Sequence, residues 1–334
     1  MLETIQNFLN TTGISQMMIG DTPAWKYIAM WVIIGVLFYL AVVKQFEPLL
    51  LLPIAFGMLL ANLPGANLFH SEFFFGDTVD FGAVLHNGGL LDLIYLGVKL
   101  GIYPSIIFMG VGAMTDFAPL IADPKSLLLG AAAQFGVFAA FTGALALGFS
   151  PEAASAIGII GGADGPTAIL VTKILAPTLL GAIAIAAYSY MALIPVIQPP
   201  LMKALTTKRE RTIHMERPRT VKKIEIVLFP IVVTLVVSLI VPSATPLVGF
   251  LMLGNLFNVS GVTERLSKTV QNELINITTV LLGVSVGGTA NANNFLSMQT
   301  IKILVLGVAA FALSTVGGLL LGKLMCFLTH GKVN

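Results

Sequence analysis

Charge is what this 334-residue chain has least of: Asp, Glu, Lys and Arg make up 10% of it, against 56% apolar residues and a mean hydropathy of +0.93. A soluble domain carries roughly 25% charged residues. There is too little polar surface to meet water on every side, so the chain belongs in lipid. Cysteine is almost missing as well. Cys326 stands alone in an apolar run, which excludes an intrachain disulfide and a thiolate metal framework; it reads as a small buried apolar side chain. His70, His86, His214 and His330 are scattered without zinc-ligand spacing. No glycine loop runs into a Lys-Ser or Lys-Thr pair, so an ATP-driven pump has no support. The opening "MLETIQNFLNTTGISQMM" lacks a basic region ahead of an apolar run and does not read as a cleaved signal peptide.

The little charge present is unevenly placed. Net charge is +2, yet residues 203–223, "KALTTKRERTIHMERPRTVKK", hold eight of the eighteen Lys and Arg. Short basic loops mark the cytoplasmic side of membrane proteins. Glu210 and Glu216 interrupt the run and spans flank it, so it is read as topology and not as a nucleic-acid site.

A bilayer core of about 30 Å takes roughly 20 apolar residues as helix. Residues 25–43 fit this, as do 127–149, rich in small residues, and 178–197, 226–242 and 300–328. Shorter apolar stretches are 49–63, with Pro53 inside, 101–114, expected to break at Tyr103-Pro104, then 246–257 and 275–288. The polar stretch 64–90 reads as a surface loop that tolerates change, and 262–275 as an interfacial helix. The expected fold is an all-α polytopic membrane protein with about nine or ten segments, several broken into half-helices. Residues 107–148 are loosely echoed by 280–322, as in transporters built from inverted repeats. The expected organisation is 1–90 as N-terminal scaffold and loop, 91–200 as a first repeat, 201–224 as the basic loop, and 225–334 as a second repeat. At the same offset, a partner for the segment 157–175 falls after about residue 330.

That segment holds the chemistry. "IGIIGGADGPTAI", 157–169, sets Asp164 among Gly161, Gly162, Gly165 and Pro166 in an otherwise apolar run. Glycine and proline free carbonyls that are tolerated at membrane depth only inside protein or beside a wet cavity. Carbonyls, a carboxylate and Thr167 are hard oxygen donors suited to Na⁺. Asp164 also suits the N-cap of a half-helix with Pro166 in its first turn, and both readings hold together. An intramembrane carboxylate is functional by default. Tyr188, Ser189, Tyr190 and Gln198 share the next span; a tyrosine there either faces the interior, bonding an ion ligand or passing a proton, or sits in an interfacial belt. Asp116, Thr289, Asn291, Asn293 and Asn294 read as turns and caps.

Taken together, "FEPLLLLPIAFG" (46–57), "FMGVGAMTDFAPLIADPKSLLLGAAAQFG" (108–136), "AIGIIGGADGPTAI" (156–169), "LLGAIAIAAYSYMALIPVIQPPLMKALTT" (179–207) and "LSKTVQNELINI" (266–277) resemble the membrane β subunit of the sodium-pumping, biotin-dependent decarboxylases of oxaloacetate, methylmalonyl-CoA or glutaconyl-CoA. The likeness runs nearly end to end. It implies decarboxylation of carboxybiotin, delivered on a biotin-carrier subunit, coupled to Na⁺ export and proton consumption, by a translocase active only in its complex. It implies carboxyltransferase and carrier partners, a small γ/δ-type membrane subunit, a homo-oligomer within the complex, no nucleic acid, and a multi-pass place in the bacterial inner membrane. Its cofactors are Na⁺ and the partner's carboxybiotin, with no transition metal. By the resemblance Asp164 is the Na⁺ and coupling carboxylate, Gly162, Thr167 and Asn334 complete the Na⁺ ligands, and Tyr190 delivers a proton. The fold expected is a scaffold with a mobile core, resembling elevator-type transporters. The family's Asn-Pro start, Gly-rich run with Ser and Arg, and second broken helix follow the position of Asn334, so a C-terminally truncated sequence is expected. The other function open to such a chain is a Na⁺-coupled secondary transporter of an organic solute.

Overall fold

The computed structural model describes residues 10–20, 22–74, 79–214 and 219–331, with the side chains of 189–193, 195 and 196 outside the description. Every regular element among the described residues is helical. That follows from the composition, because in lipid a backbone satisfies its own polar groups either in helices or in closed barrels. The helices used below are α1 Ala24–Phe38, α2 Pro48–Ala61, α3 Leu90–Lys99, α4 Ile102–Met114, α5 Leu127–Ala133, α6 Phe135–Ala146 and α7 Pro151–Gly158. They continue as α8 Gly165–Leu175, α9 Leu180–Leu205, α10 Lys223–Ile240, α11 Thr245–Val259, α12 Ile275–Gly288 and α13 Met298–Leu328.

Four of the described helical stretches are long and apolar enough to cross a membrane: Ala24–Val43, Pro124–Ala146, Lys223–Ile240 and Met298–Leu328. α3 and α4, bent by 60°, make a fifth if counted as one span. Much of the remaining apolar sequence is held in shorter helices, among them α2 and α8. The protein is an all-α polytopic membrane protein. α10 buries only Pro230 against the rest of the molecule, as a helix with lipid on most sides does.

Two helix pairs form its tightest seams. A Cβ on Gly57 of α2 would fall 2.1 Å from the Val284 carbonyl oxygen of α12, and one on Gly287 the same distance from that of Ile54. α4 and α11 repeat the device: Cβ atoms on Gly112 and Gly254 would each meet a backbone oxygen of the other helix at 1.8 Å. Between membrane helices, where lipid is as apolar as leucine, close backbone approach supplies the packing energy. Around the first seam Met30, Ile54, Met58, Tyr188, Leu282 and Val286 form the buried core. The segments that echo each other in sequence are also neighbours, α4 against α12 and α6 against α13.

Several expectations change. The break near 101–114 lies at Gly101, not at Tyr103-Pro104. Gly101 takes φ +80°, and Pro104 falls in the first turn of α4, where its missing N–H is needed by nobody. The span 127–149 is not uniform, since α5 and α6 meet at Gln134, whose carbonyl takes a tightened bond from the Val137 N–H. Residues 262–275 are not a separate interfacial helix; helical structure runs unbroken from Glu264 into α12. Nor is the whole of 64–90 a free loop. Phe74 is fully buried, stacked on Phe69 and edge-on to Tyr95. The buried carboxylate of Asp92 accepts from the backbone N–H groups of His70 and Gly89 and pairs with the His70 ring at 2.7 Å. Asp116 and Asn291 do cap short turns, accepting from the N–H groups of Ala118 and Asn294.

Candidate functional site

The run 150–175 folds as two half-helices around an irregular turn. Ser150 caps α7, accepting from the Ala153 N–H at 3.2 Å with Pro151 next to it. The helix then tightens into a 3₁₀ turn at Ile159–Gly162, and Ala163 turns left-handed at φ +56°. Asp164 is extended, and α8 starts at Gly165-Pro166. Proline in a first turn costs no hydrogen bond, whereas a helix continuing through it would lose one. The glycines are also demanded by space. A Cβ on Gly161 would lie 2.7 Å from the backbone of Gly136, and one on Gly165 would lie 2.3 Å from the Tyr188 ring.

Asp164 occupies the N-cap position of α8 and its half-buried carboxylate accepts a short hydrogen bond from the Thr167 hydroxyl. It faces a cavity of about 530 Å³. Glu47, the Tyr188 ring, Gln271, Asn276 and Thr279 line the same space. The Tyr188 hydroxyl is buried without a hydrogen-bond partner. Both amide hydrogens of Gln271 are engaged, by the Ala113 carbonyl at 3.0 Å and the Ser267 hydroxyl at 2.8 Å, which leaves its oxygen to accept. Among the described residues no three His, Cys, Asp or Glu gather as for a transition metal. Two carboxylates with amide and hydroxyl oxygens instead make a donor set for a hard monovalent cation.

The residues singled out from sequence divide across the turn. Asp164 and Thr167 are brought together. Gly162 lies on the other side of Ala163 and lines a neighbouring cavity. The side chain of Tyr190, and Asn334 altogether, lie outside the described residues. Sequence reading missed Glu47, which reaches the Asp164 cavity through a left-handed residue, φ +40°, at the start of α2. It chose Tyr190 by the resemblance and named Tyr188 only as a residue of the same span; the Tyr188 ring lies against Gly165. The only signal for Glu47 was an acid immediately before Pro48 at the mouth of an apolar run.

Comparison with known proteins places the chain in a family. The family model described as the Na⁺-transporting oxaloacetate decarboxylase beta subunit matches residues 26–334. The methylmalonyl-CoA decarboxylase subunit beta of Propionigenium modestum is 52% identical over 343 residues, covering all of this chain and 85% of the relative. That of Veillonella parvula is 53% identical, covering 99% of this chain and 82% of the relative. The glutaconyl-CoA decarboxylase subunit beta of Acidaminococcus fermentans is 54% identical, covering 93% and 78%. A family match over nearly the whole length, and relatives more than half identical, lead to one conclusion: this chain belongs to the family of Na⁺-transporting oxaloacetate decarboxylase β subunits, integral membrane components of multi-subunit enzymes.

Proposed function

We propose that Asp164 is the residue through which this subunit couples decarboxylation to Na⁺ export. The observation that carries the proposal is a half-buried carboxylate at the joint of two half-helices, bonded to Thr167 and opening on a cavity shared with Glu47. As a β subunit the chain is the translocase of a Na⁺-transporting decarboxylase. Its carboxyl group arrives as carboxybiotin on a carrier subunit charged by a carboxyltransferase, and a small γ/δ-type subunit and further β copies complete the assembly. Moving one cation against a membrane potential costs about 2.3 kcal/mol per 100 mV, which cleavage of carboxybiotin supplies. In this reading Asp164 and Thr167 hold Na⁺, with the Gly162 carbonyl and Asn334 as further ligands. A proton arriving through Tyr190 displaces the ion toward the outside of a bacterial inner membrane. Residues 91–200 and 225–334 move as inverted repeats of an elevator-type core, with the loop 203–223 in the cytoplasm.

A Na⁺-coupled carrier of an organic anion fits less well. Both charged residues among those lining the Asp164 cavity are acidic, so an anionic solute finds no counter-charge there. Asp164→Asn in the assembled complex keeps the side chain's size and removes its charge. Na⁺-dependent decarboxylation is expected to fall more than about a hundredfold, the effect of losing a charge that the ion alone neutralises, with the melting temperature little changed. Wild-type Na⁺ dependence in that variant would overturn the assignment.

A further inference from the structure

Beyond the Ala163 turn from Asp164 lies the second cavity, of about 420 Å³. Lys323 is the single charged side chain among the described residues that line it. Its ammonium donates to the Leu205 carbonyl at 2.9 Å and pairs with Glu210 of the basic loop at 3.3 Å, so this end opens toward that loop. At the other end the Ser314 hydroxyl lies 2.6 Å from two backbone oxygens, those of Ala133 and Gly161. One hydroxyl carries one proton, so Ser314 fully satisfies only one of these carbonyls at a time. Nine residues of α13 separate Ser314 from Lys323, a rise of roughly 13 Å. The amides of Gln134 and Gln198 and the apolar side chain of Phe311 lie on the walls.

We propose that this cavity receives the carboxylated ureido ring of biotin, that Lys323 captures its carboxylate at the mouth, and that Ser314 is the positioning residue linking occupancy to Asp164. The proposal rests on the decarboxylation reading above. The substrate group is a small flat ring with one carbonyl, one N–H and one carboxylate, carried on a flexible arm. A single cation at the entrance, amides along the walls and apolar surface between them match those features in order. Cleavage breaks the bond between the ureido nitrogen and the carboxylate carbon. The electron pair stays with the nitrogen, which takes up the proton the reaction consumes, and CO₂ leaves uncharged. A ureido carbonyl accepting from Ser314 releases the Gly161 oxygen. Gly161 belongs to the 3₁₀ turn that runs through Ala163 to Asp164, so filling one cavity reshapes the rim of the other.

The test uses the assembled complex with its carboxylated carrier. Lys323→Gln is expected to raise KM for that carrier about tenfold, with kcat and the Na⁺ half-saturation unchanged, and Lys323→Arg to restore it. Ser314→Ala is expected to raise the carrier KM by less than Lys323→Gln does and, unlike Lys323→Gln, to shift the Na⁺ dependence of kcat. Thr315→Phe, which fills the cavity from α13, is expected to stop carrier discharge while ²²Na⁺ binding persists. An unchanged carrier KM in Lys323→Gln, with only a lowered melting temperature, would make Lys323 an anchor for the loop and overturn the proposal. Undiminished discharge in Thr315→Phe would do the same and leave the cavity to a lipid chain. Failure of the Asp164 assignment is visible separately, as Na⁺-insensitive discharge in Asp164→Asn with the Lys323 effect on carrier KM intact.

Discussion

Two of the helix breaks in this bundle are resolved in opposite ways. At Gly101, between α3 and α4, the freed carbonyls of Val98 and Lys99 accept from the Lys173 ammonium at 3.3 and 3.0 Å. Lys99 in turn donates to the Phe74 carbonyl. A covalently held cation closes that break for good, and it complements the negative end of α3. At Ala163 the freed Gly161 carbonyl accepts from the Ser314 hydroxyl, which it shares with the Ala133 carbonyl, and the charge beside it is the carboxylate of Asp164. A break closed by the protein's own cation is a joint, whereas one lined by oxygen donors has room for a mobile cation. α8 carries both, with Asp164 at its start and Lys173 in its last turn.

The comparison breaks if the two charges prove interchangeable in their effects. The largest expected change is the loss of coupling in Asp164→Asn with little loss of stability. Lys173→Met should do the reverse. Two carbonyls lose a charged donor, a cost of roughly 2–4 kcal/mol, so thermal unfolding should come earlier while the Na⁺ half-saturation of surviving enzyme stays put. If Lys173→Met instead shifts the Na⁺ dependence with normal stability, the Gly101 break is part of the ion path. Next in size is Gly165→Ala, which drives a Cβ into the Tyr188 ring. Overpacking of this kind costs about 1–3 kcal/mol, and a second change, Tyr188→Leu, should recover the stability. Ala163→Gly sharpens the picture further. Removing the left-handed strain of an alanine returns about 1 kcal/mol, partly offset by a freer unfolded chain. A slightly higher melting temperature with slower turnover would show that the strained turn serves function.

The smallest effect belongs to the basic loop. The Arg219 guanidinium pairs with the Glu225 carboxylate at 2.7 Å, and the Lys222 N–H donates to the same group. An ion pair this exposed is weak and is screened by salt. A spin label at Thr220 should therefore stay immobile at low ionic strength and gain mobility at high salt, and should be mobile already at low ionic strength in Glu225→Gln.

Much of this site was legible before the structure. Asp164 stood out because a carboxylate is rare in an apolar run, and Gly161, Gly162 and Pro166 announced the break, since proline removes a donor whatever surrounds it. Thr167 was named beside Asp164 as a further hard oxygen donor. Other features were not legible. Glu47 lies 117 positions before Asp164, and no local pattern ties them. No local pattern places the Tyr188 ring against Gly165 either; the packing of α9 on α8 does. Ser314 looked like any serine in a small-residue helix until α13 met the broken ends of two others.

By itself, then, the sequence determined the solvent, the secondary structure and the weak points of the helices. Those depend on transfer energies and on the backbone rules of glycine and proline, which act over a few residues. Where each weak point found its partner was left to tertiary structure. A freed carbonyl accepts from whichever donor packing brings within about 3 Å, so the same kind of break became a closed joint beside Lys173 and an open oxygen-lined site beside Asp164.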